Sequence, residues 1–168
     1  MQRIAKFEKV SRQLFTEQAM AELGLTGAEA DEVYDAIKLP KRATTGSAGY
    51  DFYLPCNLTL KPGQSIRIPT GIRVRMAEGW VLMIYPRSGL GFNFKLQLDN
   101  TVGVIDSDYY YSDNEGHMMA KLTNDSRENK TLELEAGKAF VQGVFTQFGI
   151  TEDDEVTTKR NGGLGSTT

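Results

Sequence analysis

Between residue 41 and about residue 150 the chain is cut into short runs by turn signals that recur roughly every ten residues, with no long helical pattern between them. The runs are Tyr50–Leu54, Leu58–Leu60, Ser65–Ile68, Ile72–Met76, Trp80–Tyr85, Val102–Ile105, His117–Leu122, Leu132–Leu134 and Lys138–Phe145. Lys61-Pro62-Gly63, Pro69-Thr70-Gly71, Ala77-Glu78-Gly79 and Glu135-Ala136-Gly137 separate several of them. Proline presets φ in such turns, and glycine takes the left-handed conformation they need. Across Pro69–Gly71, residues Ile66, Ile68, Ile72, Val74 and Met76 alternate with polar ones, the period of a strand with one buried face. Short strands joined by turns restrict the chain to an antiparallel sandwich or barrel. At 168 residues, 40% apolar and 24% charged, it has the length and composition for one such core.

Residues 1–40 have a different period and read as a helical extension packed on that barrel. Ser11 caps a segment with Leu14, Phe15, Ala19, Met20 and Leu23 on one face, and Gly24 ends it. Thr26-Gly27-Ala28-Glu29 has capping-box spacing, and Ala30, Val33, Tyr34 and Ile37 follow at helical steps until Pro40. The two segments form a helical hairpin. Residues 151–168 have almost nothing to bury and read as a flexible arm.

Composition removes several classes of function. A net charge of −3 is no footprint for duplex nucleic acid. No run approaches the roughly 20 apolar residues of a membrane span, and no secretory pattern opens the sequence. Cys56 is the lone cysteine, which points to a reduced, cytoplasmic setting. With His117 the lone histidine, a Cys/His zinc site cannot be built in one chain, and Cys56–His117 is the one thiol–imidazole pair available. His117, at the start of a strand, reads as structural.

Four segments carry more than turns need. Thr44-Thr45-Gly46-Ser47-Ala48-Gly49-Tyr50-Asp51 is small enough to let the backbone approach another group. Tyr85-Pro86-Arg87-Ser88-Gly89-Leu90-Gly91 sets a cation, a hydroxyl and two glycines after an apolar strand; if a helix follows, its first N–H groups converge on an anion with them. Leu98 through Tyr110 reads as two strand halves around an Asn-Thr turn. There Asp106, drawn inward by Gly103-Val104-Ile105, is a partly buried general base, or else a carboxylate capping a turn. Strand alternation sets Asp106 and Tyr109 on opposite faces, so the chain must bulge or turn if both touch one ligand. The tail, with Gly162, Gly163, Gly165, Ser166 and Thr167, could cradle phosphate as a lid; it lacks the spacing of a nucleotide P-loop.

Ala48-Gly49-Tyr50-Asp51-Phe52, Pro86 to Gly91, Asn100 to Tyr109, Gly137-Lys138-Ala139-Phe140-Val141-Gln142 and Arg160 to Thr167 follow one another as five motifs. In them the chain resembles, over residues 38–168, the trimeric all-β dUTPases (deoxyuridine triphosphate nucleotidohydrolases). The resemblance implies a mainly β fold, a distorted jelly-roll barrel, and a homotrimer whose active sites lie between subunits and are closed by the arm. It implies hydrolysis of dUTP to dUMP and pyrophosphate with Mg²⁺, which keeps uracil out of DNA and supplies dUMP for thymidylate synthesis. By the same resemblance Asp106 would polarise the water that attacks the α-phosphorus, and Tyr109 would pack under the deoxyribose and reject a 2′-hydroxyl. Asn100 and the backbone of Val104 and Ile105 would read uracil in a close hairpin. Arg87, Ser88, Gly89 and Gln142 would bind phosphate oxygens. Asp51 would hold Mg²⁺ through water, Arg160, Ser166 and Thr167 would reach the β- and γ-phosphates, and Gly165 beside them would also bind substrate.

Three features depart from the family pattern. Leu164 stands where an aromatic usually covers the base, with Phe92 and Phe94 as aromatic substitutes. One residue, not two, separates Arg160 from the Gly-Gly pair, so Lys159 competes with Arg160 as the phosphate contact. Tyr110–Gly116 is a longer, polar connection without an assigned role. The alternatives are a dCTP deaminase of the same superfamily and a protein that adds a regulatory partner-binding role to the scaffold.

Overall fold

Residues 2–158 and 160–162 are described by the computed structural model. The first element is a strand, β1 (Ala5–Lys9), and the helices α1 (Arg12–Leu23) and α2 (Gly27–Ala36) follow it. A wholly helical reading of residues 1–40 therefore fails at residues 5–9. The reason is tertiary: Phe7 packs against the rings of Tyr50, Phe52 and Phe145 at 5.3–5.8 Å, which holds β1 extended on the barrel. The helix ends follow local chemistry. The Ser11 hydroxyl accepts from the Leu14 N–H, and Gly24 (φ 68°) donates its N–H to the Met20 carbonyl. Thr26 and Glu29 form the reciprocal capping box that opens α2.

The barrel comprises β2 (Lys41–Arg42), β3 (Tyr50–Tyr53), β4 (Leu58–Leu60), β5 (Ser65–Pro69), β6 (Ile72–Met76), β7 (Trp80–Pro86), α3 (Ser88–Phe94), β8 (Leu96–Leu98), β9 (Gly103–Ile105), a 3-10 helix (Ser107–Tyr111), β10 (Met119–Asn124), β11 (Leu132–Leu134) and β12 (Ala139–Gln147). The sheets run β2-β3-β12-β7-β9, β5-β10-β8, β1-β6 and β11-β4. Each strand pairing is antiparallel. They close on Phe52, Ile68, Leu82, Leu122, Leu132 and Phe140, none more than 2% exposed. This is the mainly β, distorted jelly-roll architecture with a helical hairpin that the sequence leads one to expect. A smaller cluster, Val10, Phe15, Ala19 and Ala30, lies under the two helices, and Ile37 packs against both clusters. No helix among the described residues is long and apolar enough to cross a membrane.

The expected hairpin from Leu98 to Asp106 is not a paired ladder. β8 pairs with β10 and β9 pairs with β7. Between them the chain turns sharply: Thr101 N–H donates to the Leu98 carbonyl (2.9 Å), Val102 N–H to the Asn100 carbonyl (2.7 Å), and Thr101 has φ 66°. The turn splays the two halves into different sheets. Close approach then seats β9: a Cβ at Gly103 would lie 3.0 Å from Cβ of Ile84 on β7.

Candidate active site

Asp106 follows β9 and immediately precedes the 3-10 helix, and the Tyr109 N–H donates to the Asp106 carbonyl (3.2 Å). This turn resolves the alternation problem. Because the chain stops being a strand at Asp106, Asp106 and Tyr109 both line one pocket of about 220 Å³. The pocket lies between the five-stranded and three-stranded sheets. Phe52, Ile84, Val141 and Met118 give it apolar walls, and Asn100, Asp106, Tyr109, Thr70 and Arg160 supply polar groups. Gly103, Val104 and Ile105 line it as well. Among the described residues β9 is an edge of its sheet, so its free backbone N–H and C=O groups face outward from β7. A pocket below the roughly 300–1,000 Å³ that houses a whole ligand suits a base and a sugar, with any phosphate chain running out of it.

Asp106 is less buried than its apolar neighbours suggest: its side chain is 45% exposed, because β9 is an edge strand and the turn lifts the residue off the sheet. Its carboxylate lies 2.5 Å from Nη2 of Arg160, and Nε of Arg160 donates to Asp108 at 3.0 Å. Arg160 of the tail thus bridges two acidic groups at the pocket mouth. Tyr109 is only 7% exposed. Its hydroxyl donates to the His117 carbonyl (2.9 Å) and accepts from Nδ2 of Asn114 (2.8 Å). Burial pushes its phenol above the usual tyrosine range.

The remaining expected residues gather elsewhere. Arg87, Ser88 and Gly89 are exposed, and Ser88 and Gly89 open α3, whose first N–H groups have no partner within the helix. Asp51 on β3 sits opposite Gln142 on β12. Arg87 Nη1 lies 3.3 Å from the Asp51 carboxylate. Gln142 donates to the Pro86 carbonyl (3.3 Å), and its Oε1 would lie 2.7 Å from a Cβ on Gly49. The small residues before Asp51 therefore make room for this glutamine. Among the described residues the pocket lining includes Asn100, Val104, Ile105, Asp106, Tyr109 and Arg160 and omits Asp51, Arg87, Ser88, Gly89 and Gln142. The expected site is two patches on one chain. Leu164, Gly165, Ser166 and Thr167, and also Lys159, lie outside the described residues. Neither aromatic substitute lines the pocket: Phe92 is 89% exposed, and Phe94 packs on the barrel core.

Nothing in the residue pattern singles out Thr70 or Asn114. Thr70 hid inside a turn signal; it is buried, and its hydroxyl donates to the Met118 carbonyl (2.7 Å). Asn114 hid in the unassigned polar connection. Burial pushes the Cys56 thiol up, the reverse of an activated nucleophile. Both ring nitrogens of His117 are engaged, by Gly71 and Gln18, so it is structural as expected. Among the described residues no three His, Cys, Asp or Glu side chains gather as a metal cage. A lone Asp51 carboxylate does fit a Mg²⁺ ion that keeps its waters and is held mainly by substrate phosphates.

Comparison with known proteins bears on this geometry. A family model described as dUTPase matches residues 35–168. The chain is similar to the deoxyuridine 5'-triphosphate nucleotidohydrolase of Lactococcus lactis, 44% identical over 134 residues that cover 78% of this chain and 88% of that protein. The Paraburkholderia phymatum protein of the same description is 39% identical over 136 residues, covering 77% and 88%. Among solved structures the dUTPase of Streptococcus mutans is 35% identical with a TM-score of 0.63, covering 87% of this chain and 98% of that one. A mutant dUTPase from phage phi11 of S. aureus, a structure concerned with the coordination of a structural Mg(II) ion, has a TM-score of 0.64 over 93% of this chain and 98% of its own. At 18% identity that is a likeness of fold.

Proposed function

Since the chain belongs to the dUTPase family and hydrolyses dUTP to dUMP and pyrophosphate, we propose that Asp106 holds and polarises the water that attacks the α-phosphorus. The observation that carries this reading is the convergence of Asp106 and Tyr109 on one pocket with apolar walls. A carboxylate at the pocket mouth can orient a water in line with a phosphorus while the base and sugar sit deeper. Uracil would lie among the apolar side chains. Asn100 and the free edge of Val104 and Ile105 would read its polar edge, which a base with other donors and acceptors would leave unpaired. The deoxyribose would pack on the Tyr109 ring, where a 2′-hydroxyl has no room.

The phosphates would run out of the pocket onto Arg87, Ser88, Gly89 and Gln142 of a neighbouring copy. Three observations support a shared site in a homotrimer: the small pocket, the separation of the two patches, and Phe148, Ile150 and Val156, left 50%, 74% and 79% exposed after β12. In this reading residues 41–150 are the catalytic barrel, residues 1–40 its extension and residues 151–168 its arm. Mg²⁺ on the triphosphate, reached by Asp51 through water, would offset phosphate charge. Arg160 would leave Asp106 and Asp108 for the β- and γ-phosphates, which accept a guanidinium fork as well as carboxylates do. That exchange would free Asp106 as Leu164, Gly165, Ser166 and Thr167 close over the nucleotide. We assign the enzyme to the cytoplasm, where Cys56 would stay reduced.

Complementation tests the shared site. Asp106→Asn and Arg87→Ala chains are each expected to release little pyrophosphate from dUTP with Mg²⁺. Co-expressed, they should recover activity in roughly a quarter of the sites, where a sound pocket meets a sound patch. No recovery in mixed trimers would contradict a site shared between copies.

A further inference from the structure

The Tyr110–Gly116 connection has no role in the chemistry above, yet it grips the ring that the sugar meets. The Tyr109 hydroxyl has one proton, which goes to the His117 carbonyl, and it accepts one from Asn114 Nδ2. Asn114 is itself fixed: its Oδ1 accepts from the Gly116 N–H (3.2 Å) and its carbonyl from the His117 N–H (3.0 Å). Gly116 has φ +69°, and a Cβ there would lie 2.7 Å from the Tyr109 carbonyl oxygen, so this turn presses directly on the backbone that carries the ring.

Behind the turn, the connection is tied to the N-terminal segment. Tyr110 donates to Glu8 (2.6 Å), and the Glu115 carboxylate accepts from the Ser11 N–H (2.7 Å) and hydroxyl. The imidazole of His117 accepts from the Gly71 N–H at Nε2 (2.7 Å), so its own proton is on Nδ1 and goes to Gln18 of α1. One face of the connection is thus bolted to residues 8–18, and from the other face Asn114 reaches the Tyr109 hydroxyl.

We propose that Asn114 is a positioning residue for sugar specificity: by donating to the Tyr109 hydroxyl it fixes the ring against the deoxyribose and sharpens the choice of dUTP over UTP. The proposal rests on the reading of Tyr109 as the sugar gate. Steric rejection of one hydroxyl works only if the rejecting ring does not yield, and sites of this kind need their groups held within about half an ångström.

The test is kcat/KM for dUTP and for UTP. Asn114→Asp keeps the acceptor for the Gly116 N–H and removes the donor to Tyr109. The dUTP/UTP ratio should fall about fivefold, the scale of one hydrogen bond. Tyr109→Phe, which keeps the ring and deletes the hydroxyl, should lower it by a similar factor. Adding Asn114→Asp to Tyr109→Phe should change the ratio no further. A merely structural role would lower both substrates together and leave the ratio in place. An unchanged ratio in Asn114→Asp, beside a fall in Tyr109→Ala, overturns the proposal and leaves the gate standing. A further fall in the double variant also overturns it. An unchanged ratio in Tyr109→Ala overturns the gate itself. Should Asn114→Asp not fold, an unchanged ratio in Tyr109→Phe decides against the proposal.

Discussion

The stretches Asn100–Tyr109 and Tyr110–His117 adjoin in sequence and are held in opposite ways. The first runs along an edge strand, carries a carboxylate that is 45% exposed, and meets the tail through Arg160. The second is gripped by Glu8, Ser11 and Gln18, and it ends at a His117 that is 0% exposed. The proposed catalytic carboxylate stands on the lightly held stretch, where water and a moving arm can reach it, and Tyr109 closes that stretch against the next. The stretch that steadies it is packed against an N-terminal layer that begins before the family match at residue 35. Loss of function and loss of stability should therefore separate across a boundary of one residue.

The largest expected effect breaks the first side alone. Asp106→Asn should lower turnover by a factor of about 10²–10⁴ while dUTP binding and the unfolding midpoint stay in place. Parallel loss of rate and stability would erase the distinction. On the other side, Phe15→Ala empties the centre of the small cluster. It should cost about 3–5 kcal/mol in urea unfolding, with kcat largely retained in the folded fraction.

Acid should act on the second side as well. Burial holds the His117 imidazole down at about 4, against an ordinary value of 6.5. Between those values the unfolded chain binds a proton that the native chain does not. His117 thus contributes stability that is complete above about pH 6.5 and falls by up to about 1.4 kcal/mol per unit as pH drops toward 4. Thermal midpoints over that window should fall more steeply in the wild type than in His117→Gln. A far smaller effect on stability than that of Phe15→Ala belongs to the tail contact. Arg160→Ala should slow dUTP hydrolysis but change unfolding by less than about 1 kcal/mol, as expected of a salt bridge with an exposed partner.

Much of the fold was legible because it follows local rules. Ser11, Gly24 and the Thr26–Glu29 box announced the start of each helix and the end of α1, and the strand β4 matched its run to the residue. β1 was missed because Phe7 is held by rings more than 40 residues away, which no local period reports. β8 and β9 looked like one hairpin because a tight turn joins them, although their partners lie on two other strands. At the site, the motif order brought out Asp106, Tyr109 and Arg160, and the tension in strand alternation anticipated the turn after Asp106. Asn114 was invisible because its partner is fixed by a buried carbonyl and a left-handed glycine, neither of which leaves a periodic trace.

The most direct test of the account is a crystal structure of the enzyme with an α,β-imido analogue of dUTP and Mg²⁺. The account predicts a water held by Asp106 at about 2.6–3.2 Å, in line with the α-phosphorus, and Arg160 turned away from that carboxylate onto the phosphates. An Asp106 side chain directed away from the phosphate chain, with no water between them, would contradict it.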